Sequence, residues 1–267
     1  YWLLNPWLAL TGPGEFALRF PSAVYGVIAI ALVYRLGRLL TADGRPQTTV
    51  NIGALAAFLL ATSRFHIWWS QEIRMYSLAT MWGVASSLAL LMALRTRTTR
   101  WWIAYLLTTI AGMYSLYLFV FIVAAQNVFI LWWWRRRLRS KLPVTRQVGG
   151  WIAVMVTVAL AMLPWLAYTL PRLESWSAAS PFSPLTYLQL YATVLTLGIT
   201  TFVERYGWAN LLVLAVIVAG WIASRHVHRR DAKGAENSHQ NLCVSAVRLA
   251  MCWLAVPATG VFVLLTL

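Results

Sequence analysis

Charge is what this sequence has least of. Of its 267 residues, 11% are Asp, Glu, Lys or Arg, against roughly 25% in soluble globular domains. With 60% hydrophobic residues, that shortage excludes an ordinary soluble domain. Acid is scarcest, seven Asp and Glu against 22 Lys and Arg. There are two cysteines, Cys243 and Cys252, in one apolar run. On a helix they would lie about 13 Å apart, beyond disulfide reach, so they carry no message about redox compartment. Familiar catalytic signatures are missing too. Neither H-E-x-x-H nor paired C-x-x-C occurs, which leaves a fully protein-ligated zinc site without support. No G-x-S-x-G, Walker loop, G-x-G-x-x-G, internal repeat or low-complexity tract is present.

What is there is length of apolar sequence. Residues 1–10 are apolar but too few to span a bilayer, and "TGPGEFALRFPS" reads as a polar-edged link. Candidate spans follow near 20–40, 52–69, 75–94, 101–116, 117–134, 149–170, 208–224 and 243–267. The expected fold is all-α, a polytopic membrane bundle of about eight transmembrane helices. Residues 101–134 as one helix would run about 50 Å, past a bilayer core of roughly 30 Å. A break is therefore expected near "GMYSLY" (112–117).

The net charge of +15 is distributed in a way that speaks for topology. Basic residues fall in short loops: Arg35, Arg38 and Arg45; Arg95, Arg97 and Arg100; "RRRLRSK" (135–141); "RHVHRRDAK" (225–233). Placing all four loops in the cytoplasm satisfies the positive-inside rule and the alternation of eight spans. The other side then holds Glu15, Glu72, Glu174 and Glu204. Membrane lipid is the expected partner and nucleic acid is not. Residues 186–203 could span, but that would put "RHVHRRDAK" outside. The stretch 171–207 is therefore read as an extracytoplasmic loop with an interfacial or re-entrant helix, inside one domain covering 1–267. The tryptophans at 68–69, 101–102 and 132–134 read as an interfacial belt, with sugar stacking an alternative for Trp68 or Trp69. His226 and His228 read as solvated, and Arg248 as snorkelling.

One polar cluster interrupts the apolar sequence: "FHIWWSQEIRMYSL" (65–78) places His66, Glu72 and Arg74 together. A structural reading makes Ser70 the N-cap of the next helix, Glu72 a first-turn acid favoured by the helix dipole, and His66 the partner of a backbone carbonyl. A functional reading starts from the cost of ionisable groups at a membrane edge, which often mark a site. Arg74 would fork onto phosphate oxygens, and Glu72 could hold a divalent cation bridging to them. Glu72 and Tyr76, spaced i and i+4, would face one cavity if helical. Glu15 and Arg19 repeat that spacing one outer segment earlier. Both readings stand on residue types alone.

"GEFALRFPSA", then "SRFHIWWSQEIRMYSL", then "GMYSLYLF" resembles the bacterial family-39-type glycosyltransferases of the GT-C fold. These are relatives of protein O-mannosyltransferases and of the aminoarabinose transferase acting on lipid A. The resemblance covers roughly residues 1–170. It implies an inverting transfer from a polyprenyl-phosphate sugar donor to a lipid, glycan or protein acceptor. The enzyme would sit in the bacterial cytoplasmic (inner) membrane with its site facing outward. Carried over by position, Glu72 matches an acidic residue near the phosphate or a metal, and Arg74 its accompanying cation. Gln71, Tyr76 and His66 match supporting positions. Glu15 and Arg19 match the end of the first outer segment. In such enzymes the acidic base usually lies in the first outer loop, so the chain is expected to be a fragment that begins after it. Relatives often carry a histidine within the "YSLY" motif, where this chain has Leu116. A transporter or flippase is the alternative, with Pro164 and Pro257 interrupting two spans but no matching repeat between halves. A non-catalytic membrane scaffold is a further one.

Overall fold

A computed structural model describes residues 4–40, 46–139 and 145–169. These residues form helices and no strand: α1 Leu4–Thr11, α2 Glu15–Leu40, α3 Pro46–Thr62, α4 Arg64–Gln71, α5 Tyr76–Thr96, α6 Thr99–Ser115, α7 Phe119–Arg139 and α8 Thr145–Thr169. Among them Glu15–Leu39, Tyr76–Thr96 and Gln147–Thr169 are long and apolar enough to cross a membrane. The chain is an integral membrane helix bundle. The expected spans at 208–224 and 243–267, and the loop at 171–207, lie outside the described residues.

α5 is the centre. At 21 residues it is about 32 Å long, matched to the bilayer core. It packs on α2 at one side and α6 at the other. Its burial has little to do with amphipathicity, because both flanks meet protein: Ala79, Met81, Leu88, Leu90, Leu91 and Leu94 are all buried. α3 and α4 lie on α2, and α8 on α6. One polar knot crosses the bundle. Gln126 of α7 accepts from the Tyr105 hydroxyl of α6 at 3.1 Å and donates to Ser86 and Ser87 of α5 at 2.9 and 3.0 Å.

The expected break falls where proposed: α6 ends at Ser115 and α7 begins at Phe119. The turn is tight because Phe119 packs against Gly112, where any Cβ would strike its ring. Three expectations need correction. The 12-residue link shrinks to Gly12–Gly14, since Glu15 already opens α2, where an acid suits the helix dipole. The run 52–69 divides at Ser63, whose extended backbone stops α3 and whose side chain accepts from the His66 amide to start α4. Ser70 is no N-cap: it sits inside α4 and donates to the His66 carbonyl at 2.7 Å. The N-cap of α5 is Met75, which makes no side-chain cap hydrogen bond.

Candidate active site

α4 is eight residues long, too short to stand alone, and α2 holds it. His66 is buried and its Nε2 donates to the Gly26 carbonyl at 3.2 Å. Burial lowers the imidazole below its ordinary value, opposed by that hydrogen bond. A side chain at Gly26 would collide with Ser70, so this glycine permits the close crossing. One turn after His66, α4 presents Trp69, 6.1 Å from Phe65 and 4.1 Å from the Tyr76 ring. Trp69 thus joins α4 to the start of α5.

The carboxyl end of α4 is held by Arg19. Its guanidinium donates to the Gln71 carbonyl at 3.2 Å and to the Glu15 carboxylate at 2.7 Å. Terminal helix carbonyls lack intrahelical donors, and a cation there also suits the dipole. Arg19 and Glu15 are both exposed, so the pair contributes at most about 1 kcal/mol. Its effect is to fix geometry. It brings "GEFALR" and "SQEIRM", 52 residues apart at the contact, to the same end of the bundle.

Residues 72–75 are not helical. Glu72 is the C-cap of α4, with φ −84° and ψ 144°, so the i, i+4 reasoning that placed Glu72 and Tyr76 on one helical face fails. Tyr76 is the first residue of α5 and packs at a tilt against the Trp69 ring instead. Neither Glu72 nor Arg74 has a hydrogen-bond or ion-pair partner among the described residues. Arg74 lines a cavity of about 370 Å³ between α1, α2 and the 73–75 turn. Among the described residues no group of three or more His, Cys, Asp or Glu is placed to hold a metal ion.

One contact joins α1 to the "GEFALRFPSA" segment. Pro21 lies inside α2 and lacks the N–H that the Ala17 carbonyl would accept. The Trp7 indole takes that carbonyl at 2.7 Å, and its ring stacks on Phe20 at 5.6 Å. α1 is thereby fastened over the cavity. The sequence signal was available, an indole ten residues before a carbonyl freed by proline, but the pairing is visible only once α1 is seen to fold back.

The family model described as dolichyl-phosphate-mannose-protein mannosyltransferase matches residues 1–168. No curated protein and no solved structure gives a match.

Proposed function

Since the chain belongs to the dolichyl-phosphate-mannose-protein mannosyltransferase family, glycosyltransferases that move a sugar from a polyprenyl-phosphate donor, we propose that its transfer site lies at the α2–α4–α5 end and faces the extracytoplasmic side of a bacterial inner membrane. The family match favours transfer over transport. The observation that carries the site is the Arg19 bridge to Glu15 and Gln71. It assembles two acid-and-arginine segments while leaving Glu72 and Arg74 unengaged.

In the proposed reaction an acceptor hydroxyl on a lipid, glycan or protein attacks the anomeric carbon. The bond from that carbon to the carrier phosphate oxygen breaks, and its electron pair stays on the phosphate. The acceptor proton passes to a base. Charge grows on the phosphate as the bond breaks, so a guanidinium fixed beside it favours the transition state over the ground state. Arg74 takes that role. Glu72, two residues earlier in the chain and likewise without a partner among the described residues, acts electrostatically on the sugar-phosphate. Glu15, Arg19 and the Gln71 carbonyl hold the loop, with His66 and Tyr76 supporting it through Gly26 and Trp69.

Transfer from a polyprenyl-phosphate sugar, measured on the full protein in lipid, tests these roles. Arg74→Lys keeps a charge but loses the fork and should lower kcat/KM by about 10- to 100-fold, corresponding to one lost charged hydrogen bond. Normal transfer by Arg74→Ala would remove Arg74 from the site. Normal transfer by Glu72→Gln would remove the role given to Glu72.

A further inference from the structure

The bundle end opposite the candidate site gathers positive charge on buried aromatic surface. Arg97 ends α5, and Arg137 stands near the end of α7. Arg137 lies over the Trp133 ring at 5.0 Å, and Trp133 is itself buried. Burial disfavours the Arg137 charge first, and Arg97 is near enough to disfavour it further. The only carboxylates among the described residues, Glu15 and Glu72, belong to the other end. Two guanidinium groups brought together at a membrane edge are costly unless an anion joins them.

Two unused donors lie beside this pair. Trp101 Nε1 of α6 and Gln147 Nε2 of α8 are buried and have no hydrogen-bond partner among the described residues. Gln147 is only 2% exposed, and a buried donor left unpaired is expensive. Its face of α8 is fixed by its neighbours at i+3 and i+4. A Cβ on Gly150 would come within 2.9 Å of the Trp102 indole of α6, and the Trp151 indole donates to Asn127 of α7 at 2.9 Å. Gln147 therefore faces the seam where α8 meets α6 and α7. It opens the apolar part of α8, whereas Arg137 lies just past the apolar part of α7, Phe119–Arg135. The guanidinium groups thus stand outside the apolar layer and the neutral donors at its edge.

That order matches the layers of a phospholipid, phosphate outside and ester carbonyls beneath. We infer that this seam binds one anionic phospholipid, with Arg97 and Arg137 on its phosphate and the Gln147 amide and Trp101 indole donating to its ester carbonyls. A free phosphate would satisfy the guanidinium groups and leave the deeper donors orphaned. Phosphatidylcholine would supply the carbonyls, but its choline would oppose the two cations. The inference does not depend on the sugar-transfer reading.

Photolabelling tests it on the full protein in phosphatidylcholine nanodiscs, using phosphatidylglycerol with a diazirine near the ester end of one acyl chain. Saturable labelling should map to 101–107 or 147–156 and be displaced by unlabelled phosphatidylglycerol. Arg97→Gln and Arg137→Gln should each raise the displacing concentration about tenfold, the size of one hydrogen bond to a charged group. Arg137→Lys keeps the charge for folding but loses the fork, and should raise it in the same direction. Arg35→Gln, at the same end but on α2, should leave it unchanged. Gln147→Leu separates binding from folding. It removes the orphaned amide, so it should raise the thermal transition in phosphatidylcholine alone while shrinking the further rise that phosphatidylglycerol gives. Labelling that does not saturate or maps elsewhere overturns the inference. So does an equal loss from Arg35→Gln, which would mean a diffuse basic face, or displacement by inorganic phosphate, which would mean a soluble-anion site. A Gln147→Leu protein whose response to phosphatidylglycerol is unchanged overturns it as well.

Discussion

Gly26 and His66 show how a single contact can carry a local fold. The imidazole is a hydrogen-bond donor on a buried carbonyl, and the glycine leaves room for Ser70, one turn further along α4. Gly26→Ala should therefore cost about 1–3 kcal/mol, the usual range for overpacking, read as a lower thermal transition in detergent. His66 also sets a pH dependence. Its folded value is lowered by burial, so below the ordinary value near 6.5 the unfolded chain binds a proton that the folded chain resists. Stability from this group is complete above about pH 6.5 and is lost as pH falls through the lowered folded value. His66→Gln should flatten the acid limb of a plot of transition temperature against pH. An unchanged slope would show that His66 is not the titrating group. Of these features only the polar cluster itself was legible beforehand. His66 as the partner of a carbonyl was one of two readings, but Gly26 lies 40 residues away, and no periodicity joins them.

Elements were most legible where burial was uniform. α5 begins and ends within two residues of its expected limits because its apolar run is bounded by polar residues on both sides. The split between α3 and α4 was hidden for the opposite reason. Apolar residues continue across Ser63, and the stop is a backbone event supported by one weak cap at 3.4 Å. The α5–α6–α7 knot was likewise invisible, since Gln126 gives no sequence sign of its partners. Within the bundle, Gln126→Leu keeps side-chain size but leaves the fully buried Tyr105 hydroxyl without its acceptor. Ser86 has the Gly83 carbonyl to bond at 3.0 Å, so the penalty falls chiefly on Tyr105. We expect a loss of about 1–2 kcal/mol, between the membrane average for interhelical hydrogen bonds and the cost of an orphaned donor. Adding Tyr105→Phe should restore part of it, because removing both partners costs less than removing one. A double-mutant cycle by denaturant unfolding decides. Additive losses would mean that the two side chains do not depend on each other.

Across the whole molecule, two ends differ in charge. Among the described residues the only carboxylates, Glu15 and Glu72, belong to the end where α2 begins and α4 stops. Arginines gather where α2, α5 and α7 finish. There Arg137 lies over the Trp133 ring at 5.0 Å, and its guanidinium is held below its ordinary value by burial and then by Arg97. Arg97 itself ends α5 in the left-handed region, φ 56°, which turns the chain straight into α6. Two loops read separately as basic thus meet in space, as one side of a membrane requires under the positive-inside rule. That much the loop charges foretold. Which end is outermost is a further step, and cysteine accessibility measures it. In a full-length protein with Cys243 and Cys252 replaced by serine, Gly14→Cys should react with a membrane-impermeant maleimide added outside intact inner membranes. Thr98→Cys should react only after the membrane is opened. Gly14 is exposed and a Cβ there meets nothing within 4 Å, so its failure to label would reflect sidedness and not burial. The reverse pattern would put Arg74 and its cavity on the cytoplasmic side, where a donor displayed outside could not reach them.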